Sequence, residues 1–302
     1  MVLQLDNQSI SARPFLKWAG GKSKLISQYI PYFPAKFDNY YEPFLGGGAV
    51  FFYLVGAHSS APVQGKNFRS ILTDINPELI NAYCCVRDSV EELILLLAEH
   101  QKRHGLDYYY QMRKQNIGTP SWKISGEAEP HPDFSAIEKA ARLIYLNKTC
   151  FNGLYRENSK GEFNVPIGKY KNPTICNPDG LRKVSQALQK ALIEVRPFGA
   201  ILDYAKAQDF VYFDPPYYPL SNTSNFTAYS SYSFTENDQI RLKDTFTELA
   251  RREVKVMLSN SDCPFIRELY KEYNIHEISA ARAINSNAKK RGKITEVLIT
   301  SY

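Results

Sequence analysis

The sequence predicts an α/β fold, with an open and largely parallel sheet, helices on both faces, and a helical segment inserted into it. Short apolar stretches typical of buried strands alternate with amphipathic stretches typical of helices. A glycine-rich turn, Gly46–Gly48, follows the first of these strands. Between about Pro77 and Cys176 the alternation gives way to a mostly helical pattern, and it resumes after Gly180.

The first half of the chain contains two predicted strands and three predicted helix starts. The strands are residues 39–44 and 71–73. Each helix start has a polar residue that can accept hydrogen bonds from the first free N–H groups. These starts are Asn76 before Pro77, Ser89 with Glu92, and Ser135 with Glu138. Residues 118–133, rich in Gly, Pro and Ser, are predicted to form a surface loop.

The second half returns to alternating helices and strands. In chain order we predict a helix over 180–190, strands over 191–198 and 210–213, a helix capped by Thr235, and a strand over 254–258. Two last strands, 274–283 and 294–302, are predicted to pair in an antiparallel hairpin. The basic residues 288–293 between them form either a solvated loop or a phosphate clamp.

The composition is that of a soluble globular protein with a sizeable core. The chain has 302 residues, is 44% hydrophobic, carries a formal net charge of +6 and contains 21 tyrosines. The positive net charge suits a nucleic-acid partner, but many plain enzymes share it. The tyrosine content is more suggestive, because unstacked bases pack against flat rings. The five cysteines lack metal-ligand spacing, and no apolar run approaches the roughly 20 residues of a membrane span. We therefore expect a cytoplasmic protein without bound metal that functions as a monomer.

The turn after the first strand has the features of a cofactor site. Residues 42–48 lead from a strand through glycines into a helix, and glycine lets a backbone approach a ligand closely. Asp74 ends the next strand, where a carboxylate can accept hydrogen bonds from a ribose. These features predict a nucleoside-containing cofactor. The alternative is a plain turn, with Asp74 capping the helix that begins near Asn76.

The most specific chemical signal is Asp214-Pro215-Pro216-Tyr217, which follows the apolar strand 210–213. Ligands of open α/β sheets bind at the carboxyl ends of strands. Consecutive prolines have no N–H and hold a rigid turn. The Asp214 carboxylate and the Pro215 carbonyl are thus two acceptors for the two hydrogens of an adenine amino group, and Tyr217 offers a ring for stacking. The alternative is a proline-terminated strand with an exposed tyrosine.

The segment Phe15–Lys22 is a second candidate for ligand contacts. It contains Gly-Gly-Lys-Ser, but a phosphate-binding loop needs a glycine five residues before Gly21, where the chain has Leu16. This spacing excludes the ATPase interpretation. Trp18 and Lys22 are candidates to touch a cofactor or a base; the alternative is a core tryptophan and a solvated lysine.

Residues 147–173 have the composition of a hairpin that enters a DNA groove. Asn, Arg, Lys and aromatic residues surround three glycines here. Arginine can bind guanine with two hydrogen bonds and asparagine can bind adenine likewise, and Lys160, Lys169 and Lys171 would meet phosphates. A solvated surface loop is equally compatible with this composition.

The order of these motifs resembles that in the Dam-type DNA adenine methyltransferases, whose members commonly recognise GATC. The resemblance covers nearly the whole chain, through FLKWAGGK, EPFLGGG, TDIN, NGLYREN, GEFNVPIGKYK, DPPYYPLS, NFTAYS and LSN. It implies a Rossmann-like methyltransferase domain formed by residues 1–76 and 177–302. Residues 77–176 would be an inserted target-recognition domain of helices with a hairpin at about 147–173. The implied reaction moves a methyl group from S-adenosyl-L-methionine to N6 of adenine in duplex DNA, by base flipping and direct displacement.

The resemblance also implies roles for individual residues. The expected catalytic residues are Asp214, Pro215, Pro216 and Tyr217. The expected cofactor contacts are Trp18, Lys22, Phe44, Gly46, Gly48, Asp74 and Asp214. The expected DNA-binding residues are Lys17, Phe151, Asn152, Leu154, Arg156, Pro166 and Tyr170. Phe151 stands where Tyr is commoner in the family, and residues 57–70 and 118–133 look longer than usual.

Two other functions are compatible with the sequence. One is a methyltransferase that acts on RNA or on cytosine. The other is a DNA-binding regulator that keeps the fold without catalysis. The intact Asp-Pro-Pro-Tyr sequence and the glycine turn count against the regulator.

Overall fold

A seven-stranded sheet forms the centre of the protein. The computed structural model describes residues 12–56, 68–115, 135–158, 160–220, 234–281 and 293–302. The strands are β1 (Asn39–Glu42), β2 (Arg69–Asp74), β3 (Ala191–Val195), β4 (Phe210–Phe213), β5 (Lys255–Ser261), β6 (Asn274–Ala281) and β7 (Lys293–Thr300). Their order is β3-β2-β1-β4-β5-β7-β6. Strands β1 to β5 are parallel, and β7 runs antiparallel to both of its neighbours.

The helices of the described ranges precede, connect and flank these strands. They are α1 (Ile26–Tyr29), α2 (Ala49–Gly56), α3 (Pro77–Asp88), α4 (Val90–Arg103), α5 (Leu106–Lys114), α6 (Ala136–Thr149), α7 (Pro178–Leu188), α8 (Glu236–Arg251) and α9 (Pro264–Leu269). Short 3₁₀ helices form at Lys22–Lys24, Ile30–Tyr32, Phe151–Gly153 and Phe198–Asp203. Within these ranges, each helix is too short or too polar to cross a membrane.

The strand order creates a switch point between β1 and β4. From β1 the chain proceeds outward through β2 and β3, and it then returns to the other side of β1 to form β4 and β5. Connections leave in opposite directions at this point, so a crevice opens at the carboxyl ends of β1 and β4. The sheet therefore brings the ends of four strands, at Glu42, Asp74, Phe213 and Ser261, to one edge.

Helices pack on both faces of the sheet, which confirms the predicted layers. On one face Leu72 and Tyr212 share a continuous core with Tyr83 of α3 and Tyr145 of α6. On the other face Phe213 packs with buried residues of α8 and α9. On β3 the side chain of Leu192 is half exposed.

Most predicted helix caps are present. The Asn76 side chain accepts from the Leu79 N–H at 3.1 Å, and Ser135 and Thr235 form reciprocal capping boxes. The capping box predicted at Ser89 is wrong. Although α4 begins after it, this residue also ends α3, its N–H donates to the Cys85 carbonyl, and its side chain makes no cap.

Several boundaries differ from those predicted. Strand β1 ends at Glu42, two residues early, and β5 runs on to Ser261, three residues late. In the segment 147–173, where a hairpin is predicted, isolated antiparallel bridges join Cys150 to Ile167 and Glu157 to Phe163, while residues 147–149 belong to α6. The predicted 118–133 loop, most of the 57–70 stretch and most of the basic 288–293 stretch lie outside the described residues.

Candidate active site

Asp74 and the glycine turn are bonded to each other at the carboxyl end of β2. The Gly46 N–H donates to Asp74 Oδ2 at 3.1 Å, and the Asn76 N–H donates to Oδ1 at 3.0 Å. Burial raises the pKa of Asp74, and the two N–H groups oppose this rise. Asn76 itself caps α3, so the Asp74 carboxylate is held beside the glycine turn rather than used as the helix cap.

The turn requires glycine for its conformation and for its packing. Gly46 and Gly48 have φ values of 46° and 64°, in the left-handed region that favours glycine. A Cβ at Gly46 would lie 2.8 Å from Cδ1 of Trp18, so the tryptophan packs directly on the turn. Trp18 is partly buried and stacks on Tyr155, with ring centroids 5.6 Å apart. The glycine turn therefore forms one site with the N-terminal segment.

Phe44, another predicted cofactor contact, belongs to an aromatic cluster. Its ring stacks on Phe198 at 5.5 Å between centroids and meets Phe213 and Phe234 edge-on. Edge-on and offset-stacked pairs are the arrangements that aromatic rings prefer. Phe198 and Phe234 were not among the predicted residues.

Asp214 leaves the end of β4 with one of its oxygens already bound. Its Oδ1 accepts from Ser259 Oγ at 2.8 Å and pairs with Lys22 Nζ at 2.9 Å. The Lys22 side chain is only 4% exposed, so it is not the solvated lysine of the alternative interpretation. Among the described residues, neither Asp214 Oδ2 nor the Pro215 carbonyl oxygen accepts a hydrogen bond. Within the part of the chain that the structure describes, these two consecutive residues therefore each keep an unused acceptor.

The rest of the Asp-Pro-Pro-Tyr turn is fixed by polar side chains from β5 and α8. The Tyr218 N–H donates to Asn260 Oδ1 at 3.1 Å, and Gln239 Nε2 donates to the Pro216 carbonyl at 2.9 Å. Asn260 and Gln239 also bond to each other at 3.0 Å. This buried network holds the turn in a single geometry.

Tyr217 is held at both its ring and its hydroxyl. The Lys22 ammonium lies 4.6 Å from the ring centroid, and the hydroxyl donates to Glu296 Oε2 at 2.7 Å. The ring is partly buried. It therefore is not the freely exposed tyrosine of the alternative interpretation.

Lys17 lies against the hairpin because Asn147 joins them. The Asn147 side chain accepts from the Lys17 N–H at 2.8 Å and donates to the carbonyl oxygens of Lys17, at 2.7 Å, and Gly153, at 3.1 Å. The Lys17 ammonium also lies 3.9 Å from the centre of the Tyr170 ring.

Most of the predicted DNA-binding residues are exposed on or beside this hairpin. Arg156 Nε donates to Asn164 Oδ1 at 2.6 Å, which holds the guanidinium across the hairpin. The Phe151 N–H donates to the Pro166 carbonyl, and Asn152 adopts a left-handed φ of 54°. The exposed members of the set are Lys17, Phe151, Asn152, Arg156, Pro166 and Tyr170. Leu154 is partly buried.

Sequence reasoning missed several residues that hold the site together. Glu42 is buried and accepts from the Tyr40 hydroxyl at 2.8 Å and from the Phe51 N–H at 3.2 Å. Burial raises the pKa of Glu42 to about 8. The others are Asn147, Gln239, Ser259, Asn260 and Glu296. Ser259 and Asn260 do carry a signal, because consecutive polar residues at the end of an apolar strand need buried partners. The stretch Asn225–Ser230, quoted above as NFTAYS, lies outside the described residues.

Comparison with known proteins identifies the family. Residues 18–284 match the family described as D12 class N6 adenine-specific DNA methyltransferase. The type II methyltransferase M1.LlaDCHI of Lactococcus lactis subsp. cremoris is 42% identical, over 99% of this chain and 98% of its own length. The type II methyltransferase M.MjaIII of Methanocaldococcus jannaschii is 40% identical, over 97% of this chain and 100% of its own. The DNA adenine methylase of Escherichia coli K12 is 34% identical, over 95% of this chain and 94% of its own. With a match that spans most of the chain and relatives aligned from end to end, this chain belongs to the D12 class of N6 adenine-specific DNA methyltransferases.

Proposed function

We propose that this enzyme methylates the adenine of GATC in duplex DNA, after flipping the base out of the helix and by direct displacement. The observation that carries the proposal is the pair of neighbouring acceptors at the end of β4, Asp214 Oδ2 and the Pro215 carbonyl. An amino group has two hydrogens, and acceptors for both of them localise the nitrogen lone pair and fix its direction. These two acceptors would hold N6 of adenine in this way.

The residues around the glycine turn fit S-adenosylmethionine, the methyl donor of this family. Asp74 keeps lone pairs beyond those used by Gly46 and Asn76 and can accept from ribose hydroxyls. Glycines leave the backbone open to close approach by a ligand. We propose that the donor is held by Trp18, Lys22, Phe44, Gly46, Gly48, Asp74 and Asp214. When bound, it supplies an electrophilic methyl group on a positively charged sulfur.

Lys22 has to give way when a base binds on its side of Tyr217. Its ammonium is bound to Asp214 Oδ1 and lies over the Tyr217 ring. A base that stacked on this face of the ring and donated to Asp214 would meet the ammonium. We propose that Lys22 stabilises the empty pocket and shifts towards the donor when adenine enters.

Base flipping follows from the position of these groups. An amino group inside a base stack cannot reach two acceptors at the end of a buried strand. Extrusion costs a few kcal/mol, and stacking on Tyr217 together with the hydrogen bonds at Asp214 and Pro215 would offset it. We propose that Phe151 and Asn152, which are exposed at the start of the hairpin, probe the opened duplex.

Sequence recognition is proposed for the hairpin and Lys17. Base reading would fall to Lys17, Leu154, Arg156, Pro166 and Tyr170. The resemblance to Dam-type enzymes in these stretches supports GATC as the site. Residues 77–176 are proposed as the recognition domain, although buried residues of α3 and α6 share one core with the sheet. We further propose that one chain suffices for activity.

The test is transfer of a labelled methyl group from S-adenosylmethionine to duplexes that contain GATC, beside duplexes with the site scrambled. Label at N6 of adenine in the GATC duplex alone supports the proposed reaction, donor and recognition site. Equal label in both duplexes would support the proposed methyl transfer and contradict GATC as the recognition site. An RNA of the same sequence and an adenine-free duplex complete the set, and label in either would overturn the assigned substrate. Absence of label throughout would overturn the proposed activity.

A further inference from the structure

Tyr217 is anchored through its hydroxyl to a residue from a distant strand. Its O–H donates to Glu296 Oε2 at 2.7 Å, across 79 positions of sequence. A hydrogen bond to a carboxylate is stronger than one between neutral groups. A tyrosine side chain turns about two bonds, so a bond at the far end of the ring restrains both rotations.

The sheet topology explains why Glu296 reaches this place. Strand β7 is antiparallel to β5, so the first part of β7 lies at the carboxyl end of the parallel strands. Glu296 is paired in register with Ser261, the last residue of β5, and Ser259 two residues earlier holds Asp214. The last strand of the protein thus delivers a carboxylate to the edge where β4 delivers Asp214 and Tyr217.

Glu296 lies in partly buried surroundings where its carboxylate needs hydrogen-bond donors. Burial raises the pKa of Glu296, while the positive charge of Lys22 and the Tyr217 hydroxyl oppose the rise. A partly buried carboxylate is costly without hydrogen-bond donors. Tyr217 supplies such a donor, so the ring and the carboxylate fix each other.

We propose that Glu296 is a positioning residue for the target-base pocket. It holds the Tyr217 ring in the orientation in which the extruded adenine can stack on it. This inference rests on the base-stacking role proposed above for Tyr217. Glu296 acts through Tyr217, so its removal affects placement of the base and leaves binding of S-adenosylmethionine intact.

The test is a double-mutant cycle between Glu296→Ala and Tyr217→Phe. Each variant removes the same hydrogen bond, and phenylalanine keeps the ring. We expect each single variant to lower kcat by about 10- to 100-fold, the range that follows from a small misplacement of reacting groups. The double variant should be no slower than the slower single one, because both changes remove one interaction. Glu296→Gln should recover most of the activity, since its amide oxygen still accepts from the hydroxyl.

Two further readouts separate positioning from a merely structural role. With 2-aminopurine in place of the target adenine, fluorescence should show less extruded base for Glu296→Ala than for the wild type. The dissociation constant of S-adenosylmethionine and the thermal midpoint should stay near the wild-type values. Glu277→Ala on the neighbouring strand β6 is the matched control, because Glu277 pairs with Arg267 away from Tyr217 and should leave kcat unchanged.

The outcomes separate this inference from the proposed function. Equal losses from Glu296→Ala in the wild-type and Tyr217→Phe backgrounds would overturn the positioning role. A Glu296→Gln variant as slow as Glu296→Ala would do the same. A wild-type protein that transfers no methyl group to adenine overturns the proposed function, and this inference falls with it.

Discussion

Among single residues, Asp214 has the most direct connection to the chemistry. Its Oδ1 is held by Ser259, and in the empty pocket also by Lys22, so the Ser259 bond keeps Oδ2 directed when a base displaces the lysine. Asp214→Asn keeps the shape of the side chain, removes its charge and can place an NH₂ donor against the amino hydrogens. We expect methyl transfer in a single turnover to fall by about 100-fold or more, as when one preorganised partner is removed from an active site. Asp214→Ala should abolish it.

The measurement pairs labelled methyl transfer with fluorescence anisotropy on the same duplex. DNA affinity should change little, because the proposed DNA contacts lie on the hairpin and Lys17. Asp244→Asn, on the exposed face of α8, is a control for loss of a carboxylate. Near-normal turnover of Asp214→Asn would refute its proposed role.

At the scale of single residues, the sequence predicts a site residue when its partners are close to it in the chain and not when they are far away. The sequence predicted Asp214 and Tyr217 as site residues because their immediate neighbours in the chain, an apolar strand and two prolines, define the motif. Ser259 meets Asp214 across 45 positions, and Asn147 meets Lys17 across 130. Such partners become neighbours only when the sheet and the hairpin form, so the motifs that contain Ser259 and Asn147 did not predict these contacts.

At the scale of elements, Asn147 connects the segment around Lys17 to the hairpin by hydrogen bonds. Its side chain is buried, at 1% exposed. Asn147→Ala would leave the N–H and C=O of Lys17 and the Gly153 carbonyl without this partner. Each buried polar group left unpaired costs about 1–3 kcal/mol, so we expect a loss of at least that size in the free energy of unfolding. Urea unfolding measures it, with the exposed Asn172→Ala as control. An unchanged midpoint would contradict the joining role.

Within the hairpin, Arg156 is predicted to read sequence. Asn164 holds the guanidinium in place, as a two-hydrogen-bond contact to a base requires. Arg156→Ala should lower kcat/KM on GATC by an amount equivalent to about 1–3 kcal/mol and much less on sites with one altered base pair. The comparison variant is Lys169→Ala, which removes a proposed phosphate contact. It should lower the affinity for all duplexes by a similar factor, whatever their sequence. Equal losses from Arg156→Ala on every sequence would argue against base reading.

Helix boundaries were predicted well where they depend on a few neighbouring residues. They were predicted poorly where one residue belongs to two elements. Asn76, Ser135 and Thr235 cap helices as expected, because a cap needs only the next three residues. Ser89 fails because it ends one helix as well as preceding another. Strand β5 runs past its apolar part to Ser261, since pairing with β7 satisfies the backbone there.

Across the whole molecule, the sequence predicted the layers of the fold but did not reveal how residues 77–176 pack. Alternating strands and helices are visible as periodic patterns, and the change at Pro77 is visible in composition. Residues 77–176, which the sequence predicts as an insert, share one core with the sheet through Tyr83 and Tyr145, which are fully buried beside Leu72 in that cluster. Burial of this kind depends on which distant faces meet, and one sequence carries no direct record of that.

The buried carboxyl of Glu42, which accepts from Tyr40 and Phe51 of this core, predicts how stability changes with pH. Burial raises the pKa of Glu42 to about 8 in the folded protein, against an ordinary value of 4.5. Between these values the folded state binds more protons than the unfolded state, so this residue lowers the free energy of unfolding as pH rises from about 5 to about 8. Glu42→Gln does not titrate, and its amide oxygen can still accept from Tyr40 and Phe51. We therefore expect the stability of Glu42→Gln relative to the wild type to increase steadily across that pH range. Urea unfolding of both proteins at several pH values measures this difference, in which contributions from other titrating groups cancel. A difference that stays constant with pH would mean that Glu42 is ionised in the folded protein at pH 5 as well as at pH 8.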